Sequence, residues 1–301
     1  MYDAAVVGGG PAGLAAALYL ARFHLSVFLA DAGNSRAALI PKTHNQPFWP
    51  EGISGIDLLD RMRSHLIKYP IDIVRSEVAE IRRGQAGFEL AAGGRQVICR
   101  AIVLATGAVD RRPRMSESDH SAALHSGLLR YCAICDGYEA TDRAIAVVGM
   151  GDRLYGEAKF LRSYTSTVTA LSETGLVGLS SEQHSELAAI GVEVIDKPVI
   201  GYRRLDRSLE VLFLDRGRTF ESLYAALGSV VQSRLAAALG AKMSEEGCLL
   251  VDEHQRTSVR GLYAAGDVVI GVDQISHAIG QAGVAATALR NDLCGATSLL
   301  R

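Results

Sequence analysis

Val6-Val7-Gly8-Gly9-Gly10-Pro11-Ala12-Gly13-Leu14-Ala15-Ala16-Ala17 decides the fold. Residues 3–7 form a short apolar run of strand type, and beyond the glycines an alanine-rich pattern with helical spacing continues to about Arg22. Strand, glycine turn and helix in that order make a phosphate-binding unit. Gly8 permits the tight turn, Gly10 lets the backbone approach a pyrophosphate at the helix N-terminus, and Gly13 lets helix and strand pack closely. A second strand, Leu25 to Ala30, ends in Asp31 at the separation of about twenty residues where a carboxylate takes ribose hydroxyls. That context turns a weak glycine string into a dinucleotide-binding reading, against the alternative of a structural turn.

Working outward, residues 31–56 are rich in turn formers and broken by proline, which suits a segment lying over a bound cofactor better than a core element. Ile56, Leu59, Met62 and Leu66 have helical spacing, and short strands follow to Leu104, where Ala105-Thr106-Gly107 is small enough for backbone to touch a ligand. A second strand-turn-helix unit opens at Ala144–Val148, turns through Gly149-Met150-Gly151 and leads to a strand at 167–171. Its third small position is Leu154, which implies a wider helix–strand spacing and an impaired site. Ser172-Glu173-Thr174 follows without an arginine, so Glu173 would repel a 2′-phosphate yet hold a bare ribose. After more strands, notably 209–214 and 223–227, the chain is expected to return to its first domain. There Gly261–Asp267 reads as a strand ending in Gly-Asp, and residues 275–293 as a helix. His277, near the start of that helix, is read as a satisfied structural histidine rather than a ligand of cofactor or substrate.

Composition sets the limits. At 301 residues the chain exceeds the usual single-domain range, so two cores are expected. Thirty-one glycines against 7 prolines and 1 tryptophan favour an α/β fold with many tight turns over disorder. A net charge of −2 without a basic block argues against nucleic acid or an anionic membrane as partner. Residues 4–20 are largely apolar, but Asp3 and the Gly-Gly-Gly-Pro turn exclude a signal peptide or a membrane span. The cysteines number five, an odd count, and Cys99, Cys248 and Cys294 are scattered as single, small buried hydrophobes. A reducing cytoplasm fits this better than a secreted disulfide framework.

Tyr131-Cys132-Ala133-Ile134-Cys135-Asp136-Gly137-Tyr138-Glu139 carries the chemistry. A Cys-x-x-Cys pair closes a disulfide without reorganising the chain, and a local positive potential lowers a thiol pKa from its free value of roughly 8.5. Asp136 is placed to move the proton that thiol chemistry needs. The competing reading, half of a zinc site, lacks a second Cys pair or a His pair. No metal is expected, and His120 and His125 are taken as loop residues.

GGGPAG at 8–13, Asn45 before a Pro-aromatic turn, Ala105-Thr106-Gly107, CAICDG at 132–137, GMG at 149–151 and AAGD at 264–267 occur in one order. That order resembles the low-molecular-weight thioredoxin reductase family over nearly the whole chain. The resemblance implies an α/β fold of two Rossmann-like (three-layer ββα) dinucleotide-binding domains, the second inserted into the first. The expected segments are 1–108 and 230–301 for an FAD-binding domain and 109–229 for the inserted domain with the cysteines. It also implies a cytoplasmic homodimer with FAD, in which Cys135 is next to the flavin, Cys132 exchanges with substrate and Asp136 is the acid/base. Gly8, Gly10, Pro11, Ala12, Gly13, Asp31, Asn45, Ala105, Thr106, Gly107, Gly266, Asp267, Gln274 and Ile275 match FAD-contacting positions, with Asp267 as the ribityl ligand. Arg36 joins them by counting back from Asn45, and Val78 by its place in the strand pattern.

The departures bear on the electron donor. An NADPH-dependent member carries a small residue where Leu154 stands, a His-Arg-Arg cluster where Ser172-Glu173-Thr174 stands, and an arginine where Asp273 stands. With Gly137-Tyr138-Glu139 after the cysteines, the chain is similar to branches that have lost pyridine-nucleotide use. These are the dithiol oxidases of the gliotoxin and holomycin pathways, and the ferredoxin- or flavin-linked reductase relatives. The expected function is an FAD-dependent thiol–disulfide oxidoreductase not fed by NADPH. Its partner is a thioredoxin-like protein or a small dithiol or disulfide, with oxygen, ferredoxin or another carrier completing the circuit. An NADH-dependent reductase using Glu173 is the alternative enzyme, and a non-catalytic flavin-bound redox sensor is the alternative of another class.

Overall fold

The chain opens with β1 (Tyr2–Val7), α1 (Pro11–Arg22), β2 (Val27–Ala30), a 3-10 turn at Arg36–Leu39, α2 (Gly55–Leu66), β3 (Ile71–Val74), β4 (Ile81–Gly84), β5 (Gly87–Ala92), β6 (Arg95–Leu104) and β7 (Ala108–Asp110). There follow α3 (Glu117–His125), β8 (Leu129–Arg130), α4 (Ala133–Asp136), a 3-10 turn at Tyr138–Ala140, β9 (Ile145–Gly149), α5 (Gly151–Leu161), β10 (Val168–Leu171) and α6 (Ser181–Ala189). Then come β11 (Glu193–Ile195), β12 (Gly201–Arg204), β13 (Leu209–Leu212), β14 (Gly217–Phe220), β15 (Ser222–Ala226), β16 (Ser229–Val231), α7 (Arg234–Ala238), β17 (Leu262–Ala264) and α8 (Ile275–Ala296). This computed structural model describes residues 1–296. Two compact units share these elements. One is Met1–Leu39 with Ile53–Val109 and the chain from Val230 onward; the other is Asp110–Ser229 with Ile40–Gly52.

The first unit is built on a sheet of order β3-β2-β1-β6-β5-β4, with β17 also paired to β6. Strands β3, β2, β1, β6 and β17 run parallel, whereas β5 and β4 form an antiparallel ribbon. Strand β6 serves both because it is long. Its first half pairs with β5 and its second with β17. Strand β2 and residues 4–7 of β1 are buried on both faces, which is why they read as continuous apolar runs rather than as alternation, whereas edge strand β3 is only partly covered. The order reverses between β2 and β6 around β1, and the carboxyl ends of the strands there form the crevice in which such sheets bind ligands.

The second unit repeats the plan with a parallel sheet of order β11-β10-β9-β15-β8, beside a separate antiparallel ribbon β12-β13-β14. One element departs from expectation. His120 and His125 lie in helix α3, not in a loop. Ser116 caps that helix by accepting the Asp119 N–H at 3.1 Å, and Glu117 and Asp119 favour its first turn. Helix α6 begins with a capping box, in which Ser180 accepts the Gln183 N–H at 3.1 Å and Gln183 accepts the Ser180 N–H at 2.9 Å. No helix among the described residues is long and apolar enough to cross a membrane.

Candidate active site

The glycine turn of the first unit has the shape its sequence implies. A Cβ on Gly8 would lie 2.2 Å from the Ala105 carbonyl oxygen, and one on Gly13 would lie 1.8 Å from that of Gly8, so helix α1 is pressed onto β1 to a depth no other residue allows. Gly10 is the N-cap in extended backbone, Pro11 fills the first helical position, and Ala12 is buried behind them. Asp31 is buried, and its carboxylate accepts the Gly33 N–H at 2.8 Å and an Arg63 Nη2–H at 3.4 Å. It lies directly over the turn, because a Cβ on Gly9 would be 2.0 Å from its Cγ. Arg63, on α2, is a residue the sequence reading missed. Its Nε is buried without a hydrogen-bond partner, beside the carboxylate that would meet a ribose.

Opposite, Ala105 donates its N–H to Val7 at 2.8 Å, Thr106 donates its hydroxyl to the Gln232 carbonyl at 2.6 Å, and Gly107 has φ +68 with open space where a Cβ would stand. Gly266 has φ +81, and a Cβ there would lie 3.0 Å from that of Ala12; its N–H is held by Gln281 at 2.8 Å. Asp267 accepts from Arg36 Nη1 at 2.9 Å, and the same guanidinium nitrogen is 2.9 Å from Asp273. Gln274 and Ile275 open helix α8, Gln274 accepting the Ala278 N–H at 2.9 Å.

Three further residues of the sequence reading are held as follows. Asn45 belongs to the segment Ile40–Gly52, which groups with the second unit, and its side-chain oxygen accepts from Thr43 at 2.9 Å and Gln46 at 3.2 Å. Val78 is not in a strand but between β3 and β4, with its side chain in the hydrophobic core. His277 is exposed on the first turn of α8, its Nε2 3.0 Å from where a Cβ on Gly271 would stand.

In the second unit Cys132 and Cys135 form a disulfide with Cα atoms 5.3 Å apart. Cys132 is the N-cap of α4, and its sulfur accepts the Cys135 N–H at 3.1 Å. The Ala133 N–H, the first of that turn, donates to Glu157 on α5 at 3.2 Å. Asp136 is held from two strands. Arg130 at the end of β8 forms an ion pair with it at 2.8 Å, and Tyr224 on β15 donates its hydroxyl to the carboxylate at 3.0 Å. Burial pushes the Asp136 carboxyl above its ordinary range, against the opposing pull of Arg130 and Tyr224. Glu157 is pushed up by the same cause, with Asp136 adding to it. Ile134 and Tyr138 beside the pair are 57% and 81% exposed, and Glu139 is 2.7 Å from His44. Among the described residues no cluster of three or more His, Cys, Asp or Glu could hold a metal ion. Of the remaining cysteines Cys99 is buried and its thiol pushed up to about 12 by desolvation, while Cys248 and Cys294 are only half-buried.

The second glycine turn differs from the first. Gly151 has φ +60, lies inside helix α5, and donates its N–H to the Val177 carbonyl at 2.8 Å. Gly178 follows so closely that a Cβ on it would lie 3.0 Å from Met150 Cγ. Segment 177–178 therefore lies against the Met150-Gly151 turn at the head of α5. Leu154 is fully buried where the first unit has a glycine. Glu173 is occupied as well. It accepts the Arg114 N–H at 2.6 Å and the Tyr202 hydroxyl at 3.0 Å, and its side chain is 12% exposed.

The sequence model of the pyridine nucleotide-disulphide oxidoreductase family matches residues 2–282. The thioredoxin reductase of Listeria innocua is 28% identical over 299 residues, covering 95% of this chain and 92% of that one. Among solved structures, thioredoxin reductase from Streptococcus pyogenes superposes with a TM-score of 0.90 at 26% identity, over 98% of this chain and 99% of the other. HlmI superposes with a TM-score of 0.88 at 28% identity, over 97% of this chain and 92% of its own.

Proposed function

The chain belongs to the pyridine nucleotide-disulphide oxidoreductase family and is an oxidoreductase of thioredoxin reductase type, and from that premise we propose that it is an FAD-dependent thiol–disulfide oxidoreductase working through Cys132 and Cys135 without NADPH. The observation that carries the reading is the closed disulfide at the N-terminus of α4 with a buried carboxylate, Asp136, directly after it.

The residues of the first unit fit FAD. Gly8, Gly10 and Gly13 open the N-terminus of α1 to a pyrophosphate, Asp31 and the orphaned Arg63 Nε meet the adenosine ribose, and Gly266-Asp267 with Ala105-Thr106-Gly107 face the ribityl side. Bound there, FAD would supply the two-electron couple that reoxidises the Cys132/Cys135 dithiol or reduces its disulfide.

The chain's own part is thiol exchange. In the oxidative direction a substrate thiolate attacks Cys132 Sγ, the Cys132–Cys135 bond breaks, and Cys135 leaves as a thiolate. Asp136 takes the proton of the second substrate thiol, whose sulfur then attacks the first substrate sulfur. Cys132 is released, the substrate leaves as a disulfide, and the protein holds two cysteine sulfurs reduced by the two electrons the substrate lost. The reductive direction is the reverse, with ferredoxin or another carrier as the source of electrons. Exposed Ile134 and Tyr138 give the pair an apolar rim suited to a small dithiol or to a thioredoxin-like protein. The family resemblance supports a homodimer, and the scattered cysteines outside the disulfide support a cytoplasmic setting.

Against NADPH stand the covered second turn, the buried Leu154 and the absence of a basic cluster at 172–174. The NADH alternative loses its ribose ligand to Arg114 and Tyr202. Anaerobic titration of the FAD-loaded protein with dithiothreitol, NADH, NADPH and reduced ferredoxin separates the readings. Dithiol is expected to bleach the flavin; rapid bleaching by NADPH would overturn the proposal.

A further inference from the structure

Arg130 has no part in the exchange chemistry described above, yet it is the residue that reaches into the site from β8. Its partner in the parallel register is Tyr224 on β15, so the two side chains project from neighbouring strands to one carboxylate. The Arg130 guanidinium pairs with Asp136 Oδ2 at 2.8 Å, also reaches the Asp136 carbonyl at 3.4 Å, and is anchored by its Nε to Ser222 at 3.3 Å. The side chains are only 12% and 25% exposed, so the charges are weakly screened.

The groups around Asp136 come from every element packed against it. Arg130 stands on β8, Tyr224 on β15, Glu157 on α5, and Glu139 on the 3-10 turn with His44 beyond it. The ring of Tyr164 packs on Gly137, and the sulfurs of Cys132 and Cys135 precede on α4. Burial and the two other carboxylates favour a protonated Asp136, whereas Arg130 and the Tyr224 hydroxyl favour the anion. Left to burial alone, this carboxyl would keep its proton and could not accept one from a thiol near neutrality.

We propose that Arg130 is the positioning residue that aims the Asp136 carboxylate and holds it able to take and return one proton during thiol exchange. The proton passes between a thiol sulfur and an Asp136 oxygen, and Arg130 neither gains nor loses one. The proposal rests on the acid/base reading of Asp136, and the test separates the two.

The rate at which a small dithiol reduces the FAD-loaded protein is measured against pH by stopped flow for wild type, Arg130→Met, Arg130→Lys, Tyr224→Phe and Asp136→Asn. Removal of an opposite charge at this distance moves a carboxyl by about one to three pH units. The Asp136 limb is therefore expected to move upward by that amount in Arg130→Met and by less in Arg130→Lys, which keeps the charge but not the planar fork. Asp136→Asn is expected to erase the limb. A limb unmoved in Arg130→Met, together with its loss in Asp136→Asn, overturns the proposal and leaves the acid/base reading standing. A limb that survives Asp136→Asn overturns both. If Arg130→Met does not fold, Arg130→Lys and Tyr224→Phe decide: an upward move in both supports the proposal, and wild-type limbs in both overturn it. A structural role alone would lower the rate without moving the limb.

Discussion

Glu157 shows how one residue changes the electrostatics of its neighbours. It accepts the Ala133 N–H, the donor at the head of the cysteine turn, and its carboxyl is held above the ordinary range by burial and by Asp136. A carboxyl raised on folding contributes stability below its unfolded pKa and loses it as pH rises through the folded one. Wild type is therefore expected to lose thermal stability as pH climbs from the unfolded glutamate value through the shifted one. Glu157→Gln, which keeps an oxygen for Ala133, is expected to lose less. The melting temperatures of the two should agree at acid pH and separate toward neutrality; parallel curves would reject this. The thiols permit a blunter test. Cys132→Ser or Cys135→Ser is expected to reduce turnover of a dithiol to background while leaving bound FAD and the melting temperature nearly unchanged. Residues such as these two cysteines were legible because their chemistry is local. Arg130, Glu157, Tyr224 and Arg63 were not, because each acts on a site built by other elements, and no spacing in the chain brings 130, 136, 157 and 224 together.

Elements differ in what they owe to local sequence. Helix α1 depends on Gly13, where any Cβ would enter the Gly8 carbonyl. Gly13→Val is expected to abolish FAD retention, read from the flavin absorbance of purified protein, and to lower the yield of folded protein. Helix α6 depends on its cap, since it buries only Leu187. Ser180→Ala is expected to cost about 1 kcal/mol in urea unfolding; no change would mean that water or the neighbouring turn replaces the cap. The same contrast explains legibility. Strands β1 and β9 and helix α1 announced themselves through continuous apolar runs and a glycine turn. Helices α3 and α6 carry few apolar anchors, so only their capping residues, Ser116 with Asp119 and Ser180 with Gln183, could have shown them.

Across the molecule, the two sheets share a strand order around β1 and β9. The first copy keeps a glycine turn shaped for phosphate. The second has a backbone carbonyl in that place and carries the disulfide instead. The repeat itself was readable from two strand-turn-helix patterns. The grouping of Ile40–Gly52 with the second unit was not, because it follows from tertiary packing of a polar, proline-broken segment, including the pair between His44 and Glu139. NADPH is expected to show no saturable binding to the holoprotein by fluorescence, at concentrations that saturate a reductase of the same family.

The hydrogen bond from Gly151 to Val177 also limits what redesign could achieve. Pasting arginines into positions 172–174 would install a charge attractive to a 2′-phosphate, yet the Gly151 N–H at the head of α5 would still be taken by the Val177 carbonyl. On the proposed reading, giving this protein a nicotinamide coenzyme would require re-routing a loop before any change of side chains could count.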